Sequence, residues 1–461
     1  MNSTALSGKK VSVIGAERSG VAVASLVYNA GAKVFVSDFG KSESTRKHIA
    51  ELKVKGIPGE FGGHSESVYD CTLMIISPGV PTNAPVVLEA QKRGIQIVAE
   101  IEAASWFCKG DIIAITGSNG KTTTTTLLGR ILSDAKKKHV VAGNIGTAFS
   151  SVVLDVDAET VVVLEVSSFQ LDFINSFQPK IAVIVNITRN HLDRYNNSME
   201  QYAASKARIV MNQTENDILI CNADDDWTHK VIRQQRPAMM QFSSKQKLES
   251  GAFVENGMLV TRMGEEKHSI ISVDEISIKG EHNLQNAMAA TLTAQLVGVT
   301  PAYIKSTLKN FKGVEHRQEV VKEVNGITYI NNSKATTVEA VEMSLKSYRE
   351  PIVLIMGGKD KGNDYTTLVN LVKDKVKAIV ATGYSADTIV KNFADTVRVE
   401  KVGTIGTEIP NLASMQKTIE VATSLAAKGD VVLLSPACTS FDWFTDYEER
   451  GRVFKQLVHK L

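Results

Sequence analysis

Short apolar runs that end in glycine, asparagine, serine or aspartate recur along the whole chain, with helical spacing between them. The pattern predicts strands at 11–15, 34–38 and 73–79, then at 112–117, 161–167, 181–188 and 218–222. A third group follows at 327–332, 352–358, 378–383 and 431–436. Strands that are apolar throughout are buried on both faces, which calls for helices on each side of a mainly parallel sheet. The expected fold class is α/β. With 461 residues and roughly 150 to a domain, three strand groups mean three domains, expected at 1–100, 101–313 and 314–461.

Composition narrows the partners. The 52 basic and 50 acidic residues leave a formal net charge of +2, without the broad positive field of a nucleic-acid binder. The run Lys136-Lys137-Lys138-His139 reads as a solvated helix end. No signal core opens the chain, and no apolar stretch approaches about 20 residues, so a cytoplasmic protein with no membrane partner is expected. Cys71, Cys108, Cys221 and Cys438 lie far apart without CxxC spacing. They are expected to be buried free thiols. No assembly signal stands out, and a monomer is expected.

The most informative stretch is Thr116-Gly117-Ser118-Asn119-Gly120-Lys121-Thr122-Thr123, after the apolar run 112–115. A strand, a glycine-containing loop and a helix opening near Lys121 aim backbone N–H groups at a polyphosphate. Lys121 reaches the β- and γ-phosphates in such a loop, and the Thr122 hydroxyl holds Mg²⁺. Ile115 stands at the first glycine position of the strict GxxxxGK[ST] pattern, but the context is that of an ATP site. Glu165 closes the apolar strand 161–165, and His191 and Asp193 follow the strand 181–188. Carboxylate oxygen suits Mg²⁺, whereas imidazole is an unusual ligand for so hard an ion. From the residues alone, His191 is a metal ligand or a loop histidine.

Near the amino terminus, Gly15-Ala16-Glu17-Arg18-Ser19-Gly20 follows a strand, and Asp38 ends the next one. Glu17 replaces the glycine that admits a pyrophosphate, so both a modified nucleotide site and a plain strand–helix turn fit. In the last third, His316-Arg317, the 331–336 segment, the 357–362 segment and the 435–440 segment bring lysines and hydroxyls to strand ends. That placement suits a small anionic substrate.

In this order the pieces resemble the Mur ligase family, and most of all its D-glutamate-adding branch. The resemblance runs through Ser77-Pro78-Gly79-Val80, the phosphate loop, Gly143-Asn144-Ile145-Gly146 and Glu165-Val166-Ser167-Ser168-Phe169-Gln170-Leu171. It continues in His191-Leu192-Asp193-Arg194-Tyr195, Gly280-Glu281-His282-Asn283, Ser333-Lys334-Ala335-Thr336 and Ser435-Pro436-Ala437-Cys438. The phosphate loop and the Gly-x-His-Asn element also suit folylpolyglutamate synthases; the other motifs point to the D-glutamate branch. The resemblance implies a Rossmann-like uridine-nucleotide domain, a central P-loop ATPase and a Rossmann-like amino-acid domain. It implies ATP-dependent joining of D-glutamate to UDP-N-acetylmuramoyl-L-alanine (UDP-MurNAc-L-Ala) through an acyl phosphate, with ATP as co-substrate and two Mg²⁺ ions.

By motif match, Gly117, Asn119, Gly120, Lys121, Thr122, Thr123, Asn283 and Arg317 would contact ATP. Thr122, Glu165, His191 and a carbamylated Lys206 would take metal, and Lys121, His191 and Lys206 would carry the catalysis. Ser19, Asp38, Gly79, Asn144 and Gln170 would face the uridine substrate, and Lys334, Thr336, Lys361 and Ser440 would face D-glutamate. Without the resemblance, Lys206 reads as a surface helix residue. Four positions depart from the family pattern: Glu17, Asn190, Asn332 and Thr337 stand where glycine, an acid, aspartate and asparagine are usual.

Overall fold

The structure is a computed structural model and describes residues 6–190, 192–232, 237–360 and 362–461, with the side chains of Asp193 and Glu339 left out. Its strands make three sheets. The first contains β1 (Lys10–Ile14), β2 (Lys33–Asp38), β3 (Gly59–Phe61), β4 (Leu73–Ile76) and β5 (Gln96–Ala99) in the order β3-β2-β1-β4-β5, all parallel. The second begins with β6 (Ile112–Thr116), β7 (His139–Gly143), β8 (Val161–Glu165), β9 (Ile181–Ile184) and β10 (Ile218–Asn222). It continues with β11 (Ala238–Ser243), β12 (Gly251–Glu255), β13 (Met258–Met263) and β14 (Glu266–Ser272). Its order is β14-β13-β12-β11-β10-β9-β6-β8-β7. The third holds β15 (Glu319–Val324), β16 (Ile327–Asn331), β17 (Ile352–Gly357), β18 (Val376–Thr382), β19 (Arg398–Val402) and β20 (Val431–Leu434) in the order β15-β16-β20-β17-β18-β19.

Every predicted strand is present, and the α/β class holds. All five residues of β6 and all six of β17 are buried, as strands covered on both faces must be. Of the antiparallel strands, β12, β13, β14 and β15 lie outside the predicted set, while β16 is the strand predicted at 327–332. β12, β13 and β14 pair antiparallel, as do β15 and β16. Two of these hairpins turn on Asn-Gly, with φ of 50° and 73° at Asn256 and Gly257 and 53° and 78° at Asn325 and Gly326. That left-handed pair is what a two-residue hairpin turn demands.

The chain forms two compact units, Met1–Phe311 and Lys312–Leu461, so the first two sheets share one unit. The thiol expectation needs correction. All four cysteines are free, but only Cys221 and Cys438 are buried, and Cys71 and Cys108 are half-exposed. Among the described residues, no helix is long and apolar enough to cross a membrane.

Within the first unit, the helix Glu100–Ser105 leaves β5 and leads toward the second sheet. Glu102 on it is 0 % exposed. Its carboxylate accepts from the Trp106 indole at 2.9 Å and from the backbone N–H of Asn175, Ser176 and Phe177 at 3.0, 2.9 and 2.7 Å. Burial pushes this carboxyl up, but the hydrogen bonds outweigh it and hold the group below its ordinary 4.5. A depressed folded value means stability that is present above about pH 4.5 and lost as pH falls. Glu102→Gln is expected to cost about 2–4 kcal/mol at pH 7, since an amide meets buried N–H donors with a donor of its own. Urea unfolding of both proteins at pH 7 and pH 4 checks this, and the gap should narrow at the lower pH.

Candidate active site

The turn after β6 is clasped by the turn after β9. Asn119 N–H donates to Asn186 Oδ1 at 2.9 Å, and Asn186 Nδ2 returns a bond to Asn119 O at 3.1 Å. Ser118 Oγ donates to Thr188 O at 2.8 Å, and Ser118 N–H donates to Asn186 O at 2.8 Å. The loop opens into the helix Lys121–Asp134, whose N-cap is Gly120 at φ 82°. A Cβ there would lie 2.2 Å from Asn286 Oδ1, so glycine is required twice over, by conformation and by space. The helix Glu281–Leu296 supplies Asn286 and also Asn283, which is 3.3 Å from the Asn286 amide. Lys121 Nζ is folded back onto Gly117 O at 2.7 Å and Ser118 O at 3.0 Å. Thr122 and Thr123 are buried in the first helical turn. Orphan N–H groups at a helix start, a lysine and hydroxyls make this an anion cradle.

Parallel register brings the metal candidates to the same sheet edge. Ile115 pairs with Glu165 and Thr116 with Ile184. Glu165 Oε1 accepts from Asn144 Nδ2 at 3.0 Å, while Glu165 Oε2 is buried without a partner. An orphaned buried carboxylate oxygen costs free energy unless a cation or donor satisfies it. With the Thr122 hydroxyl it makes an oxygen-donor set that fits Mg²⁺.

Lys206 is 1 % exposed, not a surface residue. The helix Met199–Ala207 turns Tyr202, Ser205 and Lys206 inward together, the i, i+3, i+4 face. Its Nζ donates to Gly117 O at 3.0 Å and lies 4.6 Å from the Tyr202 ring. Burial, and then the charge of Lys121, push the amine well below its ordinary 10.5, while Asp172 and Glu165 pull the other way. The neighbouring turn is fixed by Asp172, which accepts from Tyr195 OH at 2.9 Å and Ser205 Oγ at 2.5 Å. His191 lies outside the described residues.

A cavity of about 910 Å³ opens beside the first sheet and is lined by Ser19, Asp38, Gly79 and Asn144 among others. In the order β3-β2-β1-β4-β5 the connections reverse direction between β1 and β4, and ligands of open α/β sheets bind at such a point. Gln170 does not line this cavity. It is buried, with its Oε1 accepting from Ser167 N–H at 3.0 Å and its Nε2 unpaired. Asp38 spends both oxygens on the loop, accepting from Ala16 N–H at 2.5 Å and Gly40 N–H at 2.6 Å. Glu17 accepts from the Ser44 and Thr45 hydroxyls and lies 3.8 Å from His48. Its charge therefore faces the start of the helix Glu43–Val54, where an anion is favoured.

Family models match in chain order: the MurD-like N-terminal domain of Mur ligases over residues 9–99, the Mur ligase middle domain over 115–294 and the Mur ligase glutamate ligase domain over 316–438. A UDP-N-acetylmuramoylalanine–D-glutamate ligase of Chloroherpeton thalassium is 43 % identical over 473 residues, covering 99 % of each chain. The chain belongs to the Mur ligase family. A Salinibacter ruber protein of the same name is 41 % identical over 98 % of each chain. The solved UDP-N-acetylmuramate-alanine ligase of Thermotoga maritima shares the fold, with a TM-score of 0.58 at 21 % identity over 98 % of this chain and 99 % of its own. Mur ligases use ATP.

The second unit of this Mur ligase carries the remaining candidates. Lys334 and Thr336 follow β16, and Ser440 follows β20, its parallel neighbour. Lys334 N–H donates to His316 O at 3.1 Å, which ties that segment to the turn holding Arg317. Lys361 lies outside the described residues. Asn332 is buried, donates to Ser344 Oγ at 2.6 Å and Ser435 Oγ at 3.1 Å, and accepts from Gln318 N–H at 3.2 Å. Ser344 already gives its hydrogen to Ala340 O at 2.7 Å, so an aspartate would lose the bond to Ser344, while the Ser435 hydroxyl could turn and donate to it. Thr337 caps the helix Val338–Leu345 by accepting from Ala340 N–H, a task threonine performs like asparagine. Glu315, His316 and Glu319 cluster closely enough for a metal. Lys455 pairs with both carboxylates and Asn331 with the imidazole, so the cluster is internally satisfied.

Asn186 and Asn286, which shape the phosphate loop, are absent from the sequence-derived site. Asn186 does fall at a predicted strand end, the one signal that marks it.

Proposed function

We propose that this Mur ligase joins D-glutamate to UDP-MurNAc-L-Ala at the expense of ATP, in the synthesis of peptidoglycan precursors in the cytoplasm. The reading carries over from full-length relatives of that name. The observation on which it rests most is the phosphate loop with Glu165 and Lys206 at one sheet edge. The domains are assigned as 1–100 for the uridine substrate, 101–313 for ATP and 314–461 for the amino acid, in a monomer.

The L-alanyl carboxylate attacks the γ-phosphorus of ATP, giving an acyl phosphate and ADP. The D-glutamate amine then attacks the acyl carbon, an amide forms and phosphate leaves. Gly117, Asn119, Gly120, Lys121, Thr122 and Thr123 hold the polyphosphate, and the Lys121 ammonium offsets charge on the group in transfer. Asn283 and Arg317 complete the nucleotide contacts. Ser19, Asp38, Gly79, Asn144 and Gln170 orient the uridine substrate, with Asp38 acting through the loop it holds. Lys334, Thr336, Lys361 and Ser440 bind the D-glutamate carboxylates. Thr122, Glu165, His191 and Lys206 as its carbamate would hold two Mg²⁺ ions, which supply charge neutralisation at the phosphates. Burial shifts Lys206 toward the uncharged amine, the form that adds CO₂, and this supports carbamylation of Lys206.

Purified protein with ATP and UDP-MurNAc-L-Ala is expected to release ADP with D-glutamate alone from a panel of D- and L-amino acids. ADP release supported by a diamino acid or a folate instead would overturn the reading.

A further inference from the structure

Asp172 has no part in the assignments above, yet it sits where three of them meet. It follows the short helix Ser168–Leu171, which comes soon after Glu165 at the end of β8. One of its oxygens accepts from Ser205 Oγ at 2.5 Å, beside Lys206 on the helix Met199–Ala207. The other accepts from Tyr195 OH at 2.9 Å, and Tyr195 ends the turn Leu192–Tyr195 that follows His191 in the chain. Ser205 Oγ and Tyr195 OH are themselves 3.2 Å apart, so the carboxylate and the two hydroxyls close a triangle. Each corner belongs to a segment that carries one proposed metal ligand, Glu165, His191 or Lys206.

Ser205 is buried, and its bond to Asp172 sets the rotation of its helix. Neighbouring residues of an α-helix stand about 100° apart around the axis, so Ser205 and Lys206 turn as one body. Lys206 reaches Gly117 O at 3.0 Å through a long stem, and a small rotation of the helix sweeps the tip of that stem farther than its root. The helix has a separate fastening to the same segment. Arg208 Nε donates to Leu171 O at 2.7 Å and Nη2 to Ile174 O at 2.9 Å, on either side of Asp172. Loss of the carboxylate therefore leaves the helix attached but less closely oriented.

We propose that Asp172 is a positioning residue for the metal site: by bridging Ser205 and Tyr195 it holds in one frame the segments that bear Glu165, His191 and Lys206, and metal affinity depends on that bridge. The inference rests on the reading that those three residues take Mg²⁺, and it deepens the reading by naming what keeps them in register. The bridge needs geometry rather than charge. In Asp172→Asn the amide oxygen can accept from Tyr195 and the amide nitrogen can donate to Ser205 Oγ. The Ser205 hydrogen then turns to Ser168 O, which lies 3.0 Å away. In Asp172→Ala both bonds are gone.

Titration of the full-length protein with Mn²⁺ as a stand-in for Mg²⁺, with ADP present and the free ion counted by its EPR signal, tests this. Asp172→Ala is expected to bind Mn²⁺ about tenfold or more weakly, the loss typical of groups that orient metal ligands. It should need correspondingly more Mg²⁺ for half-maximal ADP release. KM for D-glutamate and the melting temperature should stay near wild type, a split that a purely structural role would not give. Asp172→Asn should bind Mn²⁺ nearly as wild type does. Wild-type Mn²⁺ affinity in Asp172→Ala, a rise in KM for D-glutamate that matches the metal defect, or an asparagine variant as weak as the alanine one would overturn the bridge while the metal reading stands. Should Asp172→Ala fail to fold, Ser205→Ala and Tyr195→Phe, which each cut one arm, decide the matter. Weaker Mn²⁺ binding in both supports the bridge, and unchanged binding in either overturns it. A wild type that adds nothing to the Mn²⁺ binding of ADP alone would overturn both the bridge and the metal reading.

Discussion

Lys121→Ala is expected to lower ATP-dependent phosphate release by at least about a hundredfold, the scale on which one preorganised charge at a transferring group is lost. Lys121 is the residue of the cradle whose ammonium can travel with the phosphate. In the structure Nζ rests on the Gly117 and Ser118 carbonyls, bonds that a phosphate oxygen would replace at little cost. The loop keeps its shape without them, because the Asn119–Asn186 pair and the Ser118–Thr188 bond hold it independently. The variant should therefore stay folded, with a melting temperature near that of wild type. Its defect should lie in turnover more than in KM for UDP-MurNAc-L-Ala. Near-normal phosphate release from folded Lys121→Ala would remove the phosphate loop from the mechanism.

The sequence makes some features plain and leaves others hidden for physical reasons. Buried parallel strands are apolar almost throughout, so β4, β6, β8 and β17 stand out as runs of letters. Antiparallel strands at a sheet edge need not be. β14 begins Glu266-Lys267-His268 with its first residues largely exposed, and no apolar run marks it. The Asn-Gly turns at 256–257 and 325–326 are the signal that does find such hairpins. The site divides in a similar way. The phosphate loop is contiguous, so its spacing carries its chemistry. Lys206 is brought to Gly117 across 89 positions, and nothing local distinguishes it from a solvated helix lysine. Net charge misleads in the same manner: the proposed ligands are all anionic, while the chain carries +2. Anions are met here by helix starts and single lysines, which a sum over residues averages away.

Lys206→Ala carries the other large expected effect: a loss of activity of about a hundredfold or more, partly restored by millimolar acetate or propionate. Removing a ligand does more harm than the tenfold to hundredfold typical of residues one step behind a metal site. The rescue follows from what surrounds the amine. Nζ sits beside Gly117 O with Glu165 and Lys121 contributing to its electrostatics, in a space closed to solvent. Truncation to alanine would leave a slot the length of the lysine stem, and a short carboxylate returns an anionic oxygen to it. If Lys206 worked only as a cation, added carboxylate would inhibit or do nothing, and Lys206→Arg would retain activity. If it worked only by packing against Tyr202, methionine would substitute for it. A carbamate predicts the reverse on each count: both substitutions inactive, only alanine rescued. It also predicts a carbonyl signal in carbon-13 NMR when wild type is equilibrated with labelled bicarbonate, and no such signal from Lys206→Ala. Activity of Lys206→Met comparable to wild type would remove the carbamate from the site and leave the orphaned Glu165 oxygen to be satisfied by other means.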